Sequence, residues 1–244
     1  MTKQLVFIAL PAFGQQNFSL TTSSLMALSK ALLANGWDYY FTSQSFPEIA
    51  ELRNMLATIW YDRTEAEFML MVDADMGFEP KLVLDMLAFK RELVGGAYPQ
   101  KQQTARFSLQ RKKGGEVIGD HMEVEGIGCG VMLIRRDCMK KLVENGKAQS
   151  DHRLAYHTSR GKLEELGCDR IIRAFDKIEL EHGILSEDYS FCKRVRESGM
   201  SIWANIGYNV SHVGAHAFTA CFRDVQQECA EQLTRAQMAL KGKA

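Results

Sequence analysis

The chain has 244 residues, 46% of them hydrophobic and 25% charged, and its 30 Lys and Arg balance its 30 Asp and Glu. This is the composition of a globular protein long enough to bury a real core, and the zero net charge argues against a partner such as DNA or RNA. The six cysteines show no Cys-x-x-Cys pairing and no zinc spacing, which points to a reduced, cytosolic compartment.

Leu5–Leu10 reads as the first strand. It is too short to span a membrane, and with only Lys3 charged before it and no small-residue cleavage site after it, no signal peptide is expected. Pro11-Ala12-Phe13-Gly14 breaks the strand. From Ser19 to Asn35, Leu25, Leu28, Leu32 and Leu33 recur at helical spacing, with Gly36 as the expected C-cap. Trp37–Thr42 is a second strand. Pro47 can open a second helix whose buried stripe is Leu52, Met55, Leu56 and Ile59. That helix carries Arg53-Asn54, and Arg53 is either solvated surface or a guanidinium aimed at a diphosphate or at acids.

Phe68-Met69-Leu70-Met71-Val72 is apolar without alternation and runs straight into Asp73 and Asp75. Such a run suits a strand buried on both faces of a parallel sheet, and strand, helix, strand, helix, strand is the order of a sheet with crossover helices. Ligands of open α/β sheets bind outside the carboxyl ends of the strands. Residues i and i+2 of an extended chain face the same way. Two carboxylates so placed suit Mg²⁺ or Mn²⁺ bridging to substrate phosphates; a chance Asp-x-Asp is the competing reading.

Pro80 can start a helix to about Lys90, and Leu93–Ala97 is another strand, broken by Tyr98-Pro99-Gln100-Lys101. Lys101 lies near a carboxyl end and could serve a phosphate or an acceptor, but is read first as solvated. Gln102–Gly115 is polar, basic and expected to be a loop. Glu125-Gly126-Ile127-Gly128-Cys129-Gly130 precedes the strand Val131–Ile134, and its alternate glycines let the backbone approach a ligand closely. The spacing is wrong for a dinucleotide fingerprint, and no Walker A sequence is present. Asp137 can cap a helix to about Asn145.

Gly146–Glu181 is the least regular stretch, a polar insertion of the functional or mobile kind. Ser186 is the expected N-cap of a helix with inner face Phe191, Cys192 and Val195 and its stop at Gly199. Glu187 and Asp188 in its first turn fit the helix dipole as well as they fit catalysis, and Glu187 is expected to point away from the spot that Asp188 faces. Met200–Ala204 is a strand, followed by Val210–His216 with two histidines able to ligate a metal. From Arg223 onward, Val225, Cys229, Leu233, Ala236 and Leu240 trace one stripe of a final helix, expected to dock on the domain or else to pair with another subunit. No repeat, low-complexity tract or Pro/Gly linker divides the chain, so a single domain is expected.

In order, Pro11-Ala12-Phe13, Arg53-Asn54, Val72-Asp73-Ala74-Asp75, Gly95-Gly96-Ala97-Tyr98-Pro99, Gly126–Gly130, Ser186-Glu187-Asp188-Tyr189 and Ser211-His212-Val213-Gly214 resemble the GT-A glycosyltransferases. The resemblance is closest to the compact inverting family-2-like enzymes of bacteria, phages and large algal viruses, and it covers nearly the whole chain. It implies an α/β fold, a single GT-A domain with a mostly parallel central sheet flanked by helices. Residues 1–100 then form a Rossmann-like nucleotide-sugar-binding half, 101–222 the acceptor and catalytic half, and 223–244 a C-terminal helix through which an oligomer is possible. The implied activity is metal-dependent inverting transfer from a nucleoside-diphosphate-sugar, UDP-sugar foremost, to a glycan or other hydroxyl acceptor, in a bacterial or virus-infected cytoplasm.

By position, Asp73 and Asp75 would hold Mn²⁺ or Mg²⁺, with Asp75 the more direct ligand and His212 completing the site; His216 stands near enough to compete. Pro11, Ala12, Phe13 and Arg53 would line the nucleotide pocket with Asp73, and Gly128 would lie in the flexible loop beside the donor sugar. Asp188, with Glu187 beside it, matches the catalytic base. Two rivals remain: a haloacid-dehalogenase-like phosphatase, from whose motif Met76-Gly77 departs, and a nucleotide- or carbohydrate-binding module without catalysis.

Overall fold

The apolar runs become the inner strands of one sheet, and the amphipathic segments between them become its covering helices. The computed structural model describes residues 4–102, 106–154 and 159–241, with backbone alone from 233. Its first half holds β1 (Gln4–Pro11), α1 (Ser19–Ala34), β2 (Trp37–Gln44), α2 (Ile49–Arg63), β3 (Phe68–Val72), β4 (Met76–Phe78), α3 (Pro80–Phe89) and β5 (Leu93–Gly96). Next come β6 (Leu109–Arg111), β7 (Val117–Ile118), β8 (His121–Ile127), β9 (Val131–Arg135), α4 (Arg136–Glu144), β10 (Gln149–Asp151), α5 (Arg160–Glu165) and β11 (Ile171–Arg173). The chain ends with β12 (Glu179–Leu180), β13 (Gly183–Ile184), α6 (Glu187–Glu197), β14 (Ile202–Asn205), β15 (Val210–Val213), β16 (Ala217–Ala220) and α7 (Phe222–Lys241).

The main sheet runs β2-β1-β3-β9-β5-β14-β8-β6, with β7 also on β8. β1 pairs in parallel with β2 and β3, and β5 with β14. β9 lies antiparallel between β3 and β5, and β8 antiparallel to β14. Strand direction is therefore mostly parallel, as expected, with β9 and β8 reversed. The expectation of a parallel sheet around β3 is corrected on one side: β9 fills its second edge antiparallel, and because helices cover both faces of β3 its sequence reads the same whichever way that neighbour runs.

Side-chain alternation sorts β3 between two cores. Phe68, Leu70 and Val72 pack with α1 and α3, while Met69 and Met71 pack with α2, α4 and α6 on the other face. The Leu52, Met55, Leu56 and Ile59 stripe of α2 is buried as expected, but so are Glu51, Arg53, Asn54 and Thr58. The second face is covered by the stretch expected to be irregular. Ile171, Ile172 and Phe175 are in the core, and the Thr58 hydroxyl accepts the Ile172 amide at 2.8 Å. Asn54 accepts the Phe175 amide at 2.7 Å and donates to Asp176 at 2.6 Å. Burying Phe175 alone contributes about 2–3 kcal/mol, which is why a polar-looking insertion is ordered there.

Smaller boundary corrections follow local chemistry. Helix α2 begins after Pro47, where the Glu48 carboxylate caps the Glu51 amide at 2.6 Å. In α4, Arg135 takes the N-cap position and Asp137 lies in the first turn. Gln102–Gly115 includes strand β6. In α7, Phe222 is buried against Phe107, whereas residues 227–232 are exposed, so among the described side chains docking is limited to the start of the helix. The stripe positions Leu233, Ala236 and Leu240 lie outside the described side chains. No described helix is long and apolar enough to cross a membrane, and the six cysteines form no disulfide.

Candidate functional site

The site forms where β3 ends. The Asp73 amide donates to the Gly130 carbonyl at 2.9 Å, and the Met76 amide returns to the Asp73 carbonyl at 3.2 Å, making a turn of Asp73–Met76. The Ala74 carbonyl accepts from the Phe18 amide and the Thr21 hydroxyl, each at 2.9 Å, so the start of α1 pins the turn. Pro11 and Phe13 from the end of β1, with Arg53 from α2, close a cleft of about 300 Å³ over Asp73, Ala74 and Asp75. Ala12 is buried below and lines a neighbouring cavity with Ser43 and Gln44 from the end of β2.

Arg53 is buried, not solvated, and it is aimed at acids. Its Nη2 lies 2.7 Å from Asp73 Oδ1 and its Nη1 2.6 Å from Glu187 Oε1. Burial alone would lower its pKa, but Asp73 foremost, with Glu187, raises it instead. Glu187 and Asp188 thus take different partners: α6 begins against α2, and its first carboxylate meets the guanidinium. Asp188 is fixed differently: Oδ1 accepts the Tyr189 amide at 2.8 Å and the Ser186 hydroxyl. Ser186 is the N-cap by position, yet its hydroxyl holds Asp188 and caps no backbone amide.

Asp75 faces two nitrogen groups. Lys101 Nζ lies 2.6 Å and His212 Nε2 3.4 Å from its Oδ2, whereas its Oδ1 is buried with no hydrogen-bond partner among the described residues. Burial raises the Asp75 carboxyl, but hydrogen bonds from His212 and Lys101 outweigh it and hold the group below its ordinary range. His212 reaches Asp75 because β15 pairs with β4, His212 opposite Met76, and the Val213 amide donates to the Asp75 carbonyl at 2.8 Å. His212 Nδ1 is 3.0 Å from the Pro99 carbonyl. A carbonyl only accepts, so Nδ1 carries a proton, and Nε2 is the ring nitrogen left facing Asp75. His216 is exposed in the turn between β15 and β16.

The glycine segment serves packing. A Cβ on Gly128 would sit 2.1 Å from Tyr98 Oη, one on Gly130 2.7 Å from Tyr98 Cε1, and one on Gly126 2.7 Å from Tyr189 Cδ1. The space that the glycines leave is filled by these two rings. Burial, then the charges of Asp73 and Asp188, push the Tyr98 phenol well up. Tyr98 also meets His212 edge-on at 5.3 Å.

The structure thus brings Pro11, Phe13, Arg53, Asp73 and Asp75 around one cleft, sets His212 on Asp75 and Glu187 on Arg53, and holds Asp188 at the start of α6 through Ser186 and the Tyr189 amide. It turns Gly128 towards Tyr98. Sequence reasoning missed Tyr98, although alternate glycines signal a large neighbour, and set Lys101 aside as solvated, although it follows a strand's carboxyl end. Among the described residues no group of three or more His, Cys, Asp or Glu is arranged to hold a metal ion. The pair Asp75 and His212 still fits one. Its donor set is a carboxylate with an unpartnered buried oxygen and an imidazole whose tautomer a backbone carbonyl fixes, as in ligating histidines. A cation shared with substrate phosphates needs only one or two protein ligands.

No protein-family model matches the sequence, and no curated protein matches it. Among solved structures the chain is similar to A197 from STIV, with 18% identity over 86% of each chain and a TM-score of 0.50. It is also similar to a Drosophila β-1,4-galactosyltransferase 7 mutant in complex with manganese, UDP-Gal and xylobiose, with 11% identity, TM-score 0.46, and 83% of this chain and 65% of that one covered. A UDP-glucose pyrophosphorylase complexed with UDP-glucose is similar at 8% identity and TM-score 0.41, covering 91% of this chain and 77% of that one. The fold is one α/β domain on a central, mostly parallel sheet.

Proposed function

We propose that the protein is a metal-dependent inverting glycosyltransferase, moving a sugar from a nucleoside-diphosphate-sugar, UDP-sugar foremost, to an acceptor hydroxyl. The observation that carries this reading is the meeting of Asp75 and His212 at the rim of the cleft closed by Pro11, Phe13 and Arg53. Residues 1–100 would form the donor half and 101–222 the acceptor half. Asp75 and His212 would hold Mn²⁺ or Mg²⁺, with Asp73 at its side. The bound cation supplies charge neutralisation to the leaving diphosphate.

The chain's own residues do the rest. Arg53 holds Asp73 in place. Both hydrogen bonds given to Asp188 by the described residues fall on Oδ1, which leaves Oδ2 to accept the acceptor's proton. As that O–H bond breaks, the acceptor oxygen bonds to the anomeric carbon, and the bond from that carbon to the phosphate oxygen breaks on the opposite face, inverting the centre. Gly128 acts on the donor side through the Tyr98 ring it admits. A phosphatase reading would need Asp73 as a free nucleophile, and Arg53 already binds it.

Calorimetry of UDP with and without Mn²⁺, on the wild type and on Asp75→Asn, tests the proposal, followed by a screen of nucleotide-sugars for Mn²⁺-dependent transfer or hydrolysis. Metal-dependent UDP binding that disappears in the variant is expected. UDP affinity independent of metal and unchanged by Asp75→Asn overturns it.

A further inference from the structure

Both acids of the turn are met by cations of the chain itself, but in different ways. Arg53, on Asp73, is 4% exposed and locked between two carboxylates. Lys101, on Asp75, is 36% exposed and has one carboxylate partner. Its ammonium lies 2.6 Å from the same oxygen that His212 Nε2 approaches at 3.4 Å. The route of its stem is shaped by Gly214: a Cβ there would lie 3.2 Å from Lys101 Cδ, in a turn tied by the Gly214 amide to the His216 carbonyl at 2.8 Å. A strongly hydrated point charge on four flexible carbons can leave such a place, where a forked guanidinium held at both ends cannot.

We propose that Lys101 is a built-in counter-cation of Asp75, which a divalent ion displaces and which then carries its charge to the phosphates of the bound nucleoside diphosphate. The phosphate half of this inference rests on the nucleotide-sugar reading above; the competition for Asp75 does not. Two cations on one carboxylate oxygen repel at this range, so the ammonium weakens the divalent ion for as long as it stays. Phosphate gives the displaced lysine a second anionic partner. Metal and nucleotide then bind with positive coupling, each favouring the state in which Lys101 has moved. The exchange also keeps Asp75 paired with a cation in both states.

The test is calorimetric titration of Mn²⁺ alone, of UDP alone, and of UDP at saturating Mn²⁺, on wild type, Lys101→Met and Lys101→Arg. Lys101→Met keeps the stem and removes the charge. It should bind Mn²⁺ alone about three- to tenfold more tightly than wild type, bind UDP alone more weakly, and lose coupling between the two ligands. Lys101→Arg should behave as wild type. Gly214→Val, which crowds the stem without touching a charge, should shift Mn²⁺ affinity in the direction of Lys101→Met. Equal Mn²⁺ affinity in wild type and Lys101→Met overturns the inference while leaving the transferase reading intact. Mn²⁺ binding by Lys101→Met alone supports it and removes metal dependence from the wild type. Absence of Mn²⁺ binding in every protein, with or without UDP, overturns both.

Discussion

Arg53 Nη2 stands 2.7 Å from Asp73 Oδ1, and through this contact α2 is tied to the turn after β3. The other end of the guanidinium takes Glu187, so one buried side chain joins α2, β3 and the first turn of α6. Removing one partner of a buried ion pair leaves an uncompensated charge, at about 3–5 kcal/mol. Asp73 is 27% and Glu187 13% exposed, which places the expected loss for Arg53→Ala near the lower end, about 3 kcal/mol. Urea denaturation reads it, and Glu187→Gln should cost less because Arg53 keeps Asp73. Equal losses for the two variants contradict this division.

Asp188 and Glu187 separate by role. Asp188→Asn keeps size and capping ability but cannot take a proton, so transfer should fall about 10²- to 10⁴-fold with UDP affinity nearly unchanged. Glu187→Gln should act mainly on stability. A turnover for Asp188→Asn within about threefold of wild type removes Asp188 as the base.

The histidines are distinguished by what holds them. His212 has its tautomer set by the Pro99 carbonyl and its Nε2 on Asp75, whereas His216 is exposed. His212→Ala should weaken Mn²⁺ binding in the presence of UDP more than His216→Ala does. Calorimetry with the reverse ranking would move the ligand to His216.

Gly128 and Tyr98 are coupled by contact. An alanine Cβ at 2.1 Å from Tyr98 Oη must push the ring aside, and overpacking of this kind costs about 1–3 kcal/mol. Removing the hydroxyl in Tyr98→Phe takes away the nearest clash but leaves Cζ at 2.9 Å. Gly128→Ala should therefore be less damaging in the Tyr98→Phe background. A double-mutant cycle with strictly additive losses refutes the contact.

A pH-dependent contribution sits at the end of α6. Lys147 first, then Lys193, at 2.7 and 2.5 Å, hold the Glu197 carboxyl down to about 2. Its folded pKa lies below the unfolded value of about 4.3, so the stabilisation is complete above that pH and is lost as pH falls towards 2. The group is exposed, so its worth is below about 1 kcal/mol. The urea midpoints of wild type and Glu197→Gln should differ slightly at neutral pH and converge in acid. A constant gap across that range contradicts the assignment.

What the sequence determined by itself is local. An apolar run with no alternation, Phe68–Val72, can only be a strand covered on both faces, and the acids that follow it must emerge at its end. Gly36 and Gly199, with φ of 79° and 71°, stop their helices where the sequence placed the stops, because φ of that sign suits glycine. The direction of the strand beside β3 was not legible, since burial leaves the same apolar run in either orientation. Nor were the partners of the acids. Arg53 reads in sequence as surface or as site alike, because α2 is covered by residues 159–176, whose few apolar side chains gain their value only when packed against that helix. The partners of Lys101 and Glu187 are hidden for the same reason: a charged side chain shows its charge in sequence, but its partner is chosen by elements that meet only in three dimensions. His212 reaches Asp75 through the pairing of β15 with β4, and the preference of His212 over His216 rests on one register, His212 opposite Met76.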